Sequence, residues 1–132
     1  MKLFNVCKRS NNKTELIGEI IEEDINIVLY KCRIKEIDNE KFINWAKNRL
    51  PDIMRIIEIN RYYKKNKLKR IPGVIYAWEK DNKFHIYDGI HRFLAAKHRK
   101  KDMTFLLQVR KTKNEKEIID ECFYLNKIQF TI

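Results

Sequence analysis

Hydrophobic and polar residues alternate most regularly between Ile25 and Ile37. Val28, Tyr30, Cys32 and Ile34 fall on one side, and Lys31, Arg33 and Lys35 on the other. A period of two with charges on one face predicts a half-buried strand. Shorter apolar runs predict strands at 1–8 and at Leu16–Ile21, separated by the turn cluster Ser10–Lys13 and closed by Glu22–Asp24. Beyond Asp38 and Asn39, either of which can cap a helix, Phe42, Ile43, Ala46 and Leu50 recur at helical spacing. Pro51 ends or kinks that helix and suits the first turn of another. Ile53, Ile56, Ile57 and Asn60, with Met54 alongside, predict its continuation. Ile71-Pro72-Gly73 breaks it. Val74–Trp78 and Phe84–Tyr87 read as a hairpin around Lys80–Lys83. A helix is expected from Gly89 to about Arg99, a strand over Thr104–Arg110, and a last helix with Asn114 and Glu117 at capping-box spacing. Its apolar face would be Ile118, Ile119, Cys122 and Phe123, and Ile128–Ile132 reads as a final short strand. Interleaved helices and strands predict an α+β (α/β) domain, a small mixed sheet flanked by helices.

Composition narrows the partners more than the fold. The 132 residues are 44% hydrophobic, enough for one domain with a real core, and carry a formal charge of +11. Such a balance favours polyanions, DNA or RNA among them, although a Lys- and Asn-rich solvated surface gives the same number. Cys7, Cys32 and Cys122 are far apart and at no metal-ligand spacing. No long apolar run predicts a membrane span. The expectation is a reduced, cytoplasmic protein with no membrane partner. The densest basic cluster, Lys64, Lys65, Lys67, Lys69 and Arg70, follows Tyr62 and Tyr63. Aromatic and basic residues together suit a nucleic-acid surface. Lysines at an exposed helix C-terminus, where they favour the dipole, are the plainer explanation.

The stretch Tyr87-Asp88-Gly89-Ile90-His91-Arg92 concentrates the chemistry. A strand turning into a helix directs free N–H groups and the positive end of the dipole at one spot, which attracts an anion. Gly89 permits close approach of backbone, and His91 and Arg92 offer hydrogen bonds and charge. The stretch therefore reads as a phosphate cradle. The structural alternative satisfies His91 at a neighbouring carbonyl and pairs Arg92 with Asp88. Asp88 is either a Mg²⁺ ligand beside the phosphates or a helix cap. Tyr76 and Trp78 could stack on a base or fill the core. His85 on a strand and His98 at a helix end have structural explanations.

Taken with its surroundings, this turn resembles the ParB/sulfiredoxin superfamily. The resemblance rests on Arg70-Ile71-Pro72-Gly73-Val74, a hairpin, Asp88-Gly89-Ile90-His91-Arg92-Phe93-Leu94-Ala95-Ala96, the strand from Thr104 and a helix ending at Tyr124-Leu125-Asn126. It covers about Ile34–Asn126, and leaves 1–33 as an added N-terminal hairpin. It implies a nucleotide (ATP, ADP or CTP) with Mg²⁺, its phosphates held by Gly89, the Ile90 backbone, His91 and Arg92. Activities in the family include CTP hydrolysis, repair of oxidised peroxiredoxin, phosphorylation of free serine by an ADP-dependent kinase, and nuclease action. The expected function is an NTP- or ADP-dependent phosphotransferase (kinase) or NTPase. The alternative is a DNA- or RNA-binding module, with or without nucleolytic action, using the 64–70 cluster with 97–101. Ile90 stands where sulfiredoxin has its reactive cysteine, which argues against that chemistry, and the chain ends before the DNA-reading domain of partition proteins. By analogy with the serine kinase, an acid after the first core strand would be general base. Glu36 and Glu40 lie in that region, with Asp88 and His91 as the other candidate catalytic groups. Surface solvation is the plainer fate of both glutamates.

Overall fold

The computed structural model describes residues 17–131. Six strands form one mixed sheet: β1 (Glu19–Asp24), β2 (Ile27–Arg33), β3 (Phe42–Asn44), β4 (Arg70–Lys80), β5 (Lys83–Asp88) and β6 (Thr104–Arg110). Three helices accompany it: α1 (Ile53–Lys65), α2 (Ile90–Lys97) and α3 (Glu115–Thr131). The sheet order is β1-β2-β6-β4-β5-β3, with β4 parallel to β6, β3 parallel to β5, and the other pairs antiparallel. The mixed α/β class expected from the sequence is the one observed.

Period two decides which residues meet which layer. Ile75, Ala77, Phe84 and Ile86 join Val28, Tyr30, Cys32, Phe93 and Phe105 in the main core, beneath α1 and α2. Their neighbours Tyr76, Trp78 and Tyr87 point to the opposite face, where Ile118 of α3 and Trp45 pack on them. The strand predicted to run to Ile37 ends at Arg33, and Ile34–Glu36 turn as a 3-10 segment. The β1–β2 hairpin adds directly to β6, so Val28, Tyr30 and Cys32 belong to the central core. The predicted strand over 1–8 and the turn at Ser10–Lys13 lie outside the described residues.

Two predicted elements differ from the structure in kind. The helix expected from Phe42 to Leu50 is instead the short strand β3 and a turn. The open edge of β5 takes Phe42–Asn44 as a parallel partner, and Phe42 packs its ring on Phe84 at 5.1 Å and Phe93 at 5.5 Å. Asn48 then donates to the Asn44 side chain and to the Ile86 carbonyl, both at 2.9 Å. Asparagine bonds of this kind compete with a helix locally, and strand pairing wins over helical spacing here. At the other end, where a strand over Ile128–Ile132 is expected, α3 continues to Thr131, and Ile132 lies outside the described residues.

α1 begins at Asp52, whose carboxylate accepts from the Met54 N–H at 3.0 Å. Only Ile56 and Tyr63 of this helix are buried, while Ile53 and Met54 stay exposed. α1 and α2 lie together with their first turns at the same end. Asn60 donates to the Ala95 carbonyl, and Arg99, beyond α2, donates to the Leu68 carbonyl beyond α1.

Candidate functional site

β5 ends at Asp88, opposite Tyr76 of β4. β4 runs further back, with a register shift between Arg70 and Val74 that contains Pro72 and Gly73. There the β4 edge has no strand beside it among the described residues. Arg92 takes the strand's place: Nη1 donates to the Pro72 carbonyl, and Nη2 donates to the Val74 carbonyl at 3.1 Å. Nη2 also lies 3.4 Å from the Asp88 carboxylate. Gly73 (φ 76°) and Gly89 (φ 98°) enclose this guanidinium. A Cβ on either would stand 2.8 Å from an Arg92 terminal nitrogen, and one on Gly89 also 2.6 Å from Ile75 Cδ1. The glycine in the turn thus answers a packing demand as well as a backbone one. The Arg92–Asp88 pair foreseen as the structural alternative is present.

α2 starts at Gly89 with no side chain capping it. Its first-turn N–H groups have no intrahelical partners. The residues that carry them, Gly89 to Arg92, line a cleft of about 410 Å³. Asn48, Arg49, Arg55 and Asn126 add to its polar wall, and Asp88 is the one carboxylate on it among the described residues. Three arginines therefore surround a helix N-terminus with a single acid between them. Arg49 comes from the loop after β3, and Arg55 from the first turn of α1. Among the described residues neither forms a salt bridge.

His91 joins the two helix starts. Its Nε2 accepts the Asp52 N–H at 2.9 Å, where a neighbouring carbonyl had been the expected partner. Burial holds its pKa below the usual histidine value, and Arg55 pushes the same way against Asp52. The ring is thus neutral near pH 7, and with Nε2 accepting, Nδ1 carries the proton. Asp88 does not cap α2, since Gly89 occupies that position. Burial raises the Asp88 pKa; Arg92 pulls it back and Glu121 adds to the rise. No group of three metal-ligating side chains occurs among the described residues. Asp88 alone fits a Mg²⁺ that arrives on nucleotide phosphates, an arrangement needing only one or two protein carboxylates.

The other candidates lie elsewhere. Glu36 is exposed and pairs with Arg33 at 3.5 Å. Glu40 sits before β3, where its carbonyl accepts from Lys83 at the far end of β5. Five residues of strand, about 17 Å, separate Lys83 from Asp88. Neither glutamate lines the cleft. Trp78 is buried and donates to the Thr112 carbonyl at 2.8 Å, so it is core. Tyr76 is half-buried against Tyr87. His85 contacts the Lys80 carbonyl at 3.2 Å, and His98 closes α2. Lys64, Lys65, Lys67, Lys69 and Arg70 are all exposed, but Tyr63 is buried, with its hydroxyl donating to the Arg92 carbonyl and its pKa pushed up to about 12 by burial. Tyr62 alone of the two tyrosines faces outward.

Arg49 and Arg55 escaped the sequence reading because they are far from the turn along the chain. Arg55 left one signal: a cation in the first turn of a helix opposes the dipole, and the only acid at the start of α1 is Asp52 at its cap. No family model, curated protein or solved structure matches this chain.

Proposed function

We propose that this cleft binds the phosphates of a nucleotide, and that the chain is a ParB/sulfiredoxin-like nucleotide-dependent phosphotransferase or NTPase. The observation that carries the reading is that Arg49 and Arg55, beside the open start of α2, form no salt bridge among the described residues. Converging N–H groups and guanidinium forks are the chemistry that holds phosphate oxygens. Neutral His91 adds a donor at Nδ1. Arg92, already engaged with two carbonyls, shapes the turn and contributes charge. Mg²⁺, bound with the nucleotide, would neutralise phosphate charge beside Asp88. Of the four proposed catalytic groups, Asp88 and His91 line the cleft, which makes them the two candidates to act on a bound nucleotide. A thermal-shift panel of ATP, ADP and CTP with Mg²⁺ tests the reading. A ligand at 100 times its Kd adds about 2.7 kcal/mol to stability, and a clear rise in Tm is expected. No rise with any of the three would remove the proposal.

A second reading has one observation behind it. The bond from Arg99 to the Leu68 carbonyl brings the 97–101 segment to the 64–70 cluster. Lys64, Lys65, Lys67, Lys69, Arg70, Lys100 and Lys101, all exposed, then lie on neighbouring segments, which suits the backbone of DNA or RNA. Reversing the charge of Lys64, Lys65, Lys67 and Lys69 should flatten the salt dependence of binding to a duplex. Binding that ignores salt would end this reading.

A further inference from the structure

The phosphate cleft does not end at Arg49. A second cavity, of about 310 Å³, shares Asn48, Arg49, Tyr87, Asp88 and Asn126 with it. That cavity in turn shares Trp45, Lys47, Cys122 and Asn126 with a third, of about 290 Å³, whose further walls are Ile119 and Phe123 of α3. The three make a continuous groove from the start of α2 to the exposed side of α3. Its character changes along the way. The first cavity is lined by arginines around backbone N–H groups, and the last by an indole, an isoleucine, a thiol and a phenyl ring. Phe123 is 71% exposed, an unusual state for a phenyl ring on a helix whose other face is packed. Trp45, on the wall of the same cavity, is held by its indole N–H donating to Glu115 at 3.0 Å. The Cys122 thiol, pushed up to about 11 mainly by burial, stays protonated and apolar. Asn126 borders all three cavities with a carboxamide that can both donate and accept.

We infer that the apolar end of this groove, between Trp45, Cys122 and Phe123, seats the base of the nucleotide whose phosphates lie at Arg49, Arg55 and the start of α2. The inference rests on the phosphate reading of the cleft. A nucleotide is a ligand with charge at one end and a flat aromatic surface at the other, and the groove has the same order. The base stacks on Phe123, and Asn126 reads its polar edge. Stacking of this kind tolerates different bases, so affinity comes from Phe123 and choice of base from Asn126.

Isothermal titration of wild type and Phe123→Ala with ATP, CTP and inorganic tripolyphosphate, all with Mg²⁺, tests this. The exposed site of Phe123 keeps the variant folded, and its Tm serves as the check. Wild type should bind the better of ATP and CTP about tenfold or more tightly than tripolyphosphate. Phe123→Ala should erase that advantage and leave tripolyphosphate binding unchanged. Asn126→Ala should narrow the difference between ATP and CTP. If tripolyphosphate binds as well as either nucleotide to wild type, the base subsite is overturned while the phosphate cleft stands. The same holds if Phe123→Ala leaves both nucleotide affinities unchanged. If none of the three binds, the phosphate reading falls and takes the subsite with it.

Discussion

Arg92→Ala should cost the fold more than its position in a binding cleft suggests. The guanidinium donates to the carbonyls of Pro72 and Val74, on a β4 edge that no strand covers among the described residues, and lies beside Asp88. A hydrogen bond from a charged group contributes about 1.5–3 kcal/mol, so two such bonds set an upper range of roughly 3–6 kcal/mol. The Arg92 side chain is 27% exposed, and water can replace part of what is lost. About 2–3 kcal/mol is therefore expected, to which the weak Asp88 pair adds little. At roughly 4 °C per kcal/mol for a chain of this size, Tm should fall by about 8–12 °C. Arg92→Lys should recover little, because one ammonium cannot match a planar fork that reaches two carbonyls. Thermal unfolding followed by circular dichroism measures this directly. An Arg92→Ala variant within about 2 °C of wild type would refute the structural role argued here. The result also governs how binding data are read: lost nucleotide binding in Arg92→Ala would reflect a loosened β4 edge as much as a missing phosphate contact.

Arg49→Ala and Arg55→Ala should do the reverse, leaving Tm within about 2 °C of wild type while weakening nucleotide binding about tenfold or more each, as titration would show. Gly89→Ala should destabilise by about 2–4 kcal/mol, since it places a Cβ against Ile75 and Arg92 at φ 98°; a Tm unchanged from wild type would contradict the packing account. His91 supplies a pH signature. Its folded pKa lies below the unfolded value, so the unfolded chain binds more protons, and its contribution to stability is lost as pH falls below the ordinary histidine value of about 6.5. Asp88 acts in the opposite sense, because its raised pKa makes its contribution fade as pH rises past the ordinary carboxylate value of 3.8. Comparing urea unfolding of wild type and His91→Asn between pH 5 and 7, on the order of one pH unit either side of the window, isolates the histidine: the variant should show the shallower slope, and equal slopes would contradict the assignment.

What the sequence reveals of this fold is what depends on local period. Val28, Tyr30 and Cys32 alternate with charged residues, and β2 forms there. Asp81 and Asn82, both at positive φ, turn the β4–β5 hairpin where Lys80–Lys83 predicts it. Phe42–Asn44 shows the limit. Its apolar spacing is helical, but the vacant edge of β5 and the rings of Phe84 and Phe93 draw it into the sheet, and neither is visible locally. α1 shows another: Ile53 and Met54 fit an apolar stripe, yet the helix is seated by Ile56 and Tyr63.

The site divides in the same way. The strand-to-helix switch at Asp88-Gly89-Ile90 is a local feature, and the open start of α2 is found there. Arg92 reads as a phosphate ligand in sequence because its carbonyl partners depend on where β5 stops relative to β4. Arg49 and Arg55 arrive from a loop and a helix that only the fold brings beside the turn. Glu36 and Glu40 show the converse, near the first core strand in sequence and outside the cleft in space.

The most direct test of the phosphate cleft is an amide-shift titration by nitrogen-15 NMR with ATP and Mg²⁺. The account predicts that the largest changes fall on the N–H groups of Gly89, Ile90 and His91, with the Arg55 side chain following at the same apparent Kd. Changes centred on Lys64–Arg70 instead, or none at the start of α2, would contradict it.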